Sequence, residues 1–205
     1  MMSAFIHSVL NFLFPQKCVG CGKKNKILCQ ECLKRIDYPA FLKYNNIFAA
    51  SDYNDETVKK AIWLLKYRGI KQIAEPLAEL IKQRIWEKIK FKDATIIPIP
   101  LSRTRMRERG FNQSELIAKY LSDKVITNVL YKIKETASQV SLKNREERLN
   151  NLKDCFAIKN PEIIKDKNII LIDDVSTTGA TVREARKVLR PAGAKKIIAL
   201  VVARG

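Results

Sequence analysis

Two adjacent carboxylates, Asp173 and Asp174, follow an aliphatic run, and a turn rich in hydroxyl groups follows them. Backbone N–H groups at a helix N-terminus, together with Ser and Thr hydroxyls, form a phosphate site. A glycine in such a turn allows the backbone to approach the ligand closely. The pattern therefore predicts a phosphate-binding loop, and its residues are Thr177, Thr178, Gly179, Ala180 and Thr181.

Carboxylates beside a phosphate would repel it unless they serve another part of the ligand. We expect Asp173 and Asp174 to accept hydrogen bonds from sugar hydroxyls or to bind a metal ion. A ligand that carries a phosphate on one side and hydroxyls on the other is a ribose 5-phosphate. A Walker-B-like strand and an ordinary strand–turn–helix connection are the alternatives. The chain has neither a GxxxxGK[ST] nor a GxGxxG motif, which favours the ribose phosphate.

A second candidate anion site is the arginine-rich segment 103–109, which follows a strand ending in Pro98 and Pro100. Arginine side chains in such a run can bind an anionic ligand and neutralise its charge. A solvated charge run is the alternative interpretation. His7 is the only histidine, which makes a Ser–His–Asp triad improbable. The arginines are Arg103, Arg105, Arg107 and Arg109.

Four cysteines form two CxxC pairs near the N-terminus, separated by seven residues. Four thiolates in this arrangement are typical of a structural, tetrahedral zinc site, which has no open position for catalysis. Disulfides are not expected without a secretion signal. The cysteines are Cys18, Cys21, Cys29 and Cys32, and the neighbouring lysines, which either contact nucleic acid or serve solubility, are Lys23, Lys24 and Lys26.

Strands and helices, which must position these residues, are predicted to alternate along the chain from about residue 47. Apolar strands are predicted over residues 47–53, 94–99, 167–172 and 196–202, and helices over 57–67, 73–89, 113–121 and 181–189. Asn112 is the expected N-cap of the helix over 113–121. Strands without polar alternation are buried on both faces, which indicates an α/β fold with a parallel sheet covered by helices. Ligands bind at the carboxyl ends of such strands. We predict an N-terminal module over 1–46 and an α/β domain over 47–205.

The chain has 39 Lys and Arg against 21 Asp and Glu, a formal charge of +18, and 46% hydrophobic residues. It can therefore build a core, and its charge indicates an anionic partner: nucleic acid, a phosphorylated metabolite or a membrane surface. The apolar segment 4–14 is shorter than the roughly 20 residues of a membrane span. We expect a short packed helix there, the alternative being a membrane-surface anchor, and a cytoplasmic protein.

Several motifs occur in order and together resemble a known family. They are residues 18–32, the Leu-Lys-Tyr-Arg-Gly run at 65–69, Pro98 to Leu101, the Arg-Gly-Phe-Asn-Gln run at 109–113, the series Gln139, Leu142, Arg148 and Asn151, and the acidic-pair loop. The sequence is similar to the ComF family of competence-associated proteins, in which a zinc module precedes a type I phosphoribosyltransferase domain. The resemblance covers nearly the whole chain.

This resemblance implies a binding site for phosphoribosyl pyrophosphate with Mg²⁺. Asp173 and Asp174 would hold the ribose hydroxyls, and residues 177–181 the 5-phosphate. Pyrophosphate would lie against a short loop, and a flexible loop would close over the site. The residues of these two loops are Leu101, Ser102, Arg103 and Thr104, and Lys143, Arg145 and Arg148.

The family also implies a role in DNA uptake during natural transformation, with single-stranded DNA and other DNA-uptake proteins as partners. Two alternatives remain: a phosphoribosyltransferase of nucleotide metabolism with an unidentified acceptor, and a non-catalytic sensor of phosphoribosyl pyrophosphate. The charge of +18 favours the DNA role, because a small substrate needs only local positive charge. Aromatic residues are few at 8%, which predicts little sequence preference. Candidate DNA contacts are Arg103, Arg105, Arg107, Arg109, Lys23, Lys24 and Lys26.

Overall fold

The computed structural model describes residues 16–37, 43–89, 91, 93–135 and 152–205. Its main sheet has five strands in the order β1-β2-β7-β6-β3, in which β1 is antiparallel to β2 and the other neighbours are parallel. Strands β4 and β5 form a separate antiparallel pair. The parallel α/β architecture confirms the predicted fold class. The strands are β1 (Lys43–Tyr44), β2 (Ile47–Asp52), β3 (Thr95–Pro98), β4 (Leu130–Lys132), β5 (Phe156–Ile158), β6 (Ile169–Ser176) and β7 (Ile197–Arg204).

Six α-helices lie in the described residues, and four of them fall where apolar periodicity predicts a helix. The predicted helix over 73–89 is α3 followed by a π-helical segment, Lys82–Trp86. Helices α1 and α4 were not expected, because their six and seven residues include too few apolar side chains to show a helical pattern. The helices are α1 (Gln30–Arg35), α2 (Glu56–Arg68), α3 (Ala74–Ile81), α4 (Arg103–Arg109), α5 (Gln113–Leu121) and α6 (Ala180–Leu189).

Strand β6 is longer at its carboxyl end than predicted. Its ladder with β7 continues past Ile172 and includes Asp173 opposite Val201 and Val175 opposite Ala203. The acidic pair therefore lies inside the strand, whereas the sequence pattern placed it after the strand. Backbone pairing with a fully buried neighbour keeps the strand extended through two polar residues, because the ladder hydrogen bonds do not depend on side-chain type.

Side chains of the central strands belong in alternation to two separate hydrophobic clusters, one on each face of the sheet. Ile170 and Ile172 of β6 pack with α2, α3 and α5 on one face of the sheet. Ile169 and Leu171 pack on the other face with α6 and the β4–β5 pair. This period of two is the pattern of a sheet that is covered on both sides.

The N-terminal module packs on the α/β domain through an apolar contact and an arginine. Leu33 and Ile36 belong to the same hydrophobic cluster as α2 and α3. The Arg84 guanidinium donates to the carbonyl oxygens of Ile36 at 2.6 Å, Ala50 at 3.0 Å and Leu33 at 3.3 Å. The division into units 1–46 and 47–205 stays a prediction.

The apolar segment 4–14 lies outside the described residues. Within the described segments, none of the helices combines the length and the apolar character needed to cross a bilayer.

Candidate functional site

The acidic pair on β6 is buried and held from two sides. Asp173 Oδ1 accepts hydrogen bonds from Ser114 Oγ at 3.1 Å and from the Asp174 backbone N–H at 2.9 Å. Asp174 Oδ2 forms an ion pair with Lys66 Nζ, from the last turn of α2. Three elements that are distant in sequence, α2, α5 and β6, therefore meet at these two carboxyl groups.

The two carboxyl groups have opposite pKa shifts. Burial, and then the negative charge of Asp174, raise the pKa of Asp173 to about 7. Burial acts against ionisation of Asp174 as well, but the charge and hydrogen bond of Lys66, a hydrogen bond with Asp173 and the charge of Arg109 together outweigh it and lower the pKa of Asp174. Asp174 is therefore the anion of the pair at neutral pH, and Asp173 gains or loses a proton near pH 7.

Asp174 Oδ2 still has capacity for a ligand. In the described part of the chain its partner is the Lys66 ammonium, which leaves a lone pair of this buried oxygen unused. A carboxylate oxygen with unused lone pairs is costly to bury, unless a bound group supplies the missing donor. A sugar hydroxyl, or a divalent cation, has the chemistry to complete it.

The predicted phosphate loop connects β6 to α6. Gly179 lies at the start of the helix with φ of 72°, a left-handed conformation that favours glycine, and a Cβ there would be 2.9 Å from Ile47 Cδ1. The loop and Asp173 line a small recess. Thr177 and Thr181 also face the larger cleft described next.

A cleft of about 630 Å³ lies over the carboxyl ends of the four parallel strands. Tyr53 follows β2, Pro100 follows β3, Thr177 follows β6 and Gly205 follows β7, and all four line it. This is where parallel α/β sheets bind ligands. Four cationic side chains face three carboxyl groups in the lining: Lys66, Arg105, Arg109 and Lys132 against Glu108, Asp173 and Asp174.

The four arginines of the 103–109 segment separate onto two faces of α4. Arg105 and Arg109 are half-buried and line the cleft, whereas Arg103 and Arg107 are exposed. Residues four apart share a helix face, which explains the division. The Arg109 guanidinium lies 5.4 Å from the centre of the Tyr67 ring.

Only part of the predicted pyrophosphate loop, residues 101–104, lines the cleft. Leu101 lines it, and Ser102 is the buried N-cap of α4. Arg103 and Thr104 are exposed, and the Thr104 N–H donates to Glu135 Oε1 at 3.0 Å. The roles of these residues toward pyrophosphate stay predictions. The predicted flexible-loop residues Lys143, Arg145 and Arg148 lie outside the described residues.

The Arg-Gly-Phe-Asn-Gln run, residues 109–113, positions residues of the site through side-chain hydrogen bonds. Asn112 donates through Nδ2 to the Ile99 carbonyl at 2.9 Å and accepts at Oδ1 from the Ser114 N–H at 2.9 Å. It is thus the predicted N-cap of α5, and it also fixes the chain just after β3. Gln113 lines the cleft and accepts from Arg109 at 3.0 Å. These contacts set Ser114 against Asp173.

Sequence reasoning missed Lys132, whose side chain lines the cleft from β4. Burial, and to a lesser extent the charge of Arg105, lower its pKa. No motif surrounds Lys132, and its strand has only three residues. Only the packing of the β4–β5 pair against the main sheet could reveal its position.

The four N-terminal thiols converge as predicted. Their Sγ atoms all lie within 4.8 Å of one another, and Cys21 Sγ is 3.7 Å from Cys29 Sγ. Thiolates bound to a tetrahedral zinc ion at about 2.3 Å would be about 3.8 Å apart. A Cβ at Gly20 would stand 2.7 Å from Cys32 Sγ, so the absence of a side chain there makes room for the cluster.

The electrostatics of this cluster also suit a cation. Burial acts to raise the pKa of Cys18, but backbone N–H groups, including that of Cys29 at 3.4 Å, lower it to about 6. Burial raises the pKa of Cys32. The cluster is compatible with a structural zinc ion.

Comparison with known proteins identifies the class and then the family. A family model described as "Phosphoribosyl transferase domain" matches residues 65–205, which include the acidic pair, the phosphate loop and the cations of the cleft. The chain contains a phosphoribosyltransferase domain, and it belongs to the ComF family of competence proteins.

The relatives are similar over most of the chain. Competence protein ComFC of Bacillus subtilis (strain 168) is 32% identical over 181 residues, which span 86% of this chain and 72% of that protein. Competence protein ComFC of Streptococcus pneumoniae (strain ATCC BAA-255 / R6) is 33% identical, over 89% of this chain and 78% of the relative. Competence protein F of Haemophilus influenzae is 28% identical, over 88% and 86%.

Proposed function

We propose that the cleft binds phosphoribosyl pyrophosphate together with Mg²⁺. The observation that carries this proposal is the presence of three complementary features in one cleft: a phosphate loop, a buried acidic pair with an open acceptor oxygen, and four cations. In this proposal the 5-phosphate binds to residues 177–181 and the ribose hydroxyls to Asp173 and Asp174. The pyrophosphate lies toward Arg105 and Arg109.

If the protein is catalytic, a nucleophile attacks C1 of the ribose. The bond between C1 and the pyrophosphate oxygen breaks, and pyrophosphate leaves with the electron pair. The chain's own cations, Arg105, Arg109 and Lys132, would stabilise the charge that develops on this leaving group. Mg²⁺, when bound, supplies further neutralisation of the phosphate charges.

Thermal unfolding tests the binding proposal. Phosphoribosyl pyrophosphate with Mg²⁺ should raise the melting temperature, because a ligand that binds only the folded state stabilises it. The double substitution Asp173→Asn, Asp174→Asn should abolish this rise, since the amides keep the shape and lose the charge. The domain should remain folded at a lower melting temperature of its own, because Lys66 loses its partner. An undiminished rise in the double variant would show that the ligand binds elsewhere.

We further propose that the protein acts in DNA uptake and binds single-stranded DNA in the cytoplasm, in contact with other DNA-uptake proteins. The names of the relatives and the charge of +18 support this role. Fluorescence anisotropy with an oligonucleotide across a salt series tests it. Each phosphate neutralised on a single strand contributes about −0.7 to the slope of log K against log salt, so a footprint of about 4–6 phosphates should give a slope near −3 to −4. Absence of binding at low salt would remove the DNA role.

A phosphoribosyltransferase that acts on an unidentified acceptor is the second candidate, supported by the family of the domain. Pyrophosphate release separates the candidates. We would supply phosphoribosyl pyrophosphate and Mg²⁺ with bases, nucleosides or single-stranded DNA in turn. Release that depends on one acceptor identifies an enzyme, and binding without release in any mixture identifies a protein that binds phosphoribosyl pyrophosphate without turnover.

We propose that the four cysteines bind one structural zinc ion. Support comes from the convergence of the Sγ atoms and from the space left by Gly20. A fully coordinated zinc would hold the N-terminal module together and leave the chemistry to the cleft.

A further inference from the structure

Helix α2 exposes two large aromatic side chains on one face. Trp63 is 49% exposed and Tyr67 is 55% exposed. They lie four residues apart on the helix, and their ring centres are 6.2 Å apart. Two adjacent, exposed aromatic rings are unusual on a folded surface. Leaving a large apolar ring in contact with water is less favourable than leaving a small side chain there.

Cationic side chains surround this aromatic pair. Lys59 and Lys60 are exposed one turn before Trp63, and Lys59 forms an exposed ion pair with Glu56. Arg109 of α4 lies over the Tyr67 ring. The face therefore combines aromatic rings with positive charge.

The two ends of α2 adjoin the two other functional regions of the protein. At its carboxyl end, Tyr67 is part of the cleft lining. At its amino end, Thr57 lies close to Gly20 of the cysteine module, since a Cβ on Gly20 would be 3.3 Å from Thr57 Cγ2. The 13 residues of the helix span about 20 Å between these two ends.

We propose that this face of α2 binds single-stranded nucleic acid, with bases stacked on Trp63 and Tyr67 and phosphates held by Lys59 and Lys60. The inference rests on the proposed DNA role and gives it a location. Base–aromatic stacking combined with cationic side chains is how single strands are bound without sequence preference. A base on Tyr67 would lie at the mouth of the cleft, so the strand is brought to the ribose-phosphate site.

The composition of the face favours nucleic acid over a protein partner. The residues that α2 buries are aliphatic, Val58, Ala61, Ile62 and Leu65, and they face the core. The exposed stripe has lysines beside the two rings, where a helix-docking surface would have aliphatic side chains. Aromatic rings and cations complement the bases and phosphates of a single strand.

Tryptophan fluorescence reports stacking directly, because the chain has two tryptophans and only Trp63 is exposed. Trp86 is partly buried against the core, and the Trp86→Phe variant isolates the Trp63 signal. Titration of this variant with an unlabelled thymidine oligonucleotide should quench its emission with the same midpoint as binding measured by anisotropy. Binding without quenching would overturn the stacking arrangement.

Substitution of Trp63 provides the second test. Trp63→Ala should raise the dissociation constant for the oligonucleotide at least about fivefold, the lower end of what the loss of one stacked base costs. Trp63→Phe should restore most of the affinity. Tyr120→Ala is the matched control, because Tyr120 is 44% exposed on α5, and it should change the affinity less than about twofold.

The outcomes separate this inference from the function on which it rests. Trp63 does not line the cleft, so Trp63→Ala should keep the thermal shift with phosphoribosyl pyrophosphate. If the wild-type protein binds the oligonucleotide and Trp63→Ala binds it equally well, the location is wrong and the DNA role stands. If Trp63→Ala instead abolishes self-association in sedimentation equilibrium, the face binds a second copy of the chain and the inference is overturned. If the wild-type protein does not bind the oligonucleotide, both DNA proposals fail.

Discussion

Lys66 and Asp174 form an ion pair although they are far apart in sequence, one in the last turn of α2 and the other in β6. Both side chains are largely buried, at 19% and 5% exposed. The pair connects the Lys-Tyr-Arg-Gly motif to the acidic pair. It also explains why Asp174 remains ionised beside Asp173, because the ammonium compensates a charge that burial would otherwise suppress.

Removal of the ammonium should therefore destabilise the fold. Lys66→Met leaves Asp174 buried without its partner, and we expect a loss of about 3 kcal/mol in the free energy of unfolding. The double substitution Lys66→Met, Asp174→Asn should recover most of this loss. Urea denaturation measures both, with Lys60→Met as a control for an exposed lysine on the same helix, expected within about 0.5 kcal/mol of wild type. Equal losses in the single and double variants would contradict the pairing.

Ionisation of Asp173 should make stability depend on pH. Its pKa is about 7 in the folded protein, against an ordinary value of 3.8. Between these values the folded state binds more protons than the unfolded state, so the free energy of unfolding contributed by this group falls as the pH rises from about 4 to 7. Asp173→Asn should remove that fall, and its stability relative to wild type should increase across the same window. Urea denaturation at several pH values measures the free energy of unfolding of both proteins. If the wild-type and variant curves against pH are parallel, the pKa of Asp173 is not raised.

Arg105 and Arg107 are a matched pair on α4, with the same charge and opposite faces. Arg105→Ala should weaken binding of phosphoribosyl pyrophosphate about tenfold or more, because it removes a charge-assisted contact in the cleft. Arg107→Ala should change this affinity less than twofold, since its side chain is exposed to solvent. Isothermal titration calorimetry in the presence of Mg²⁺ measures both. Equal effects would mean that only the net charge of the helix matters.

The cysteine cluster should retain about one zinc ion per chain in protein that is purified without added metal. Elemental analysis measures it, and less than about a tenth of an equivalent in folded protein would contradict the assignment. Gly20→Ala places a Cβ against Cys32 Sγ and should make the ion easier to remove with a chelator. Lys24→Ala, an exposed position between the two cysteine pairs, should leave retention unchanged.

Local patterns in the sequence predicted a large part of this protein. The apolar runs indicated a parallel sheet, and the alternation of strands and helices gave the fold class. The acidic pair and the glycine-containing turn predicted a phosphate loop, and the sequence also indicated the Asn112 cap and the convergence of the four cysteines. Each strand, helix, loop and cysteine signal lies within about fifteen residues, so backbone geometry and side-chain chemistry determine it without reference to the rest of the chain.

The tertiary structure decided which residues share the site. Lys132 enters the cleft only because the β4–β5 pair packs beside the main sheet, and Lys66 reaches Asp174 only because α2 ends above β6. The arginines of α4 look equivalent in sequence, but the side of the helix that faces the cleft separates Arg105 from Arg107.

The aromatic pair on α2 shows the same division. A spacing of four residues in a predicted helix puts Trp63 and Tyr67 on one face, and that much is local. Whether the face is buried or exposed depends on how the helix packs on the sheet, and the strand order β2-β7-β6-β3 decides this. Strand order and helix packing arise from contacts between distant segments that bury the most apolar surface together. No local pattern encodes these contacts, so the sequence determined the chemical groups and the tertiary structure determined their meeting point.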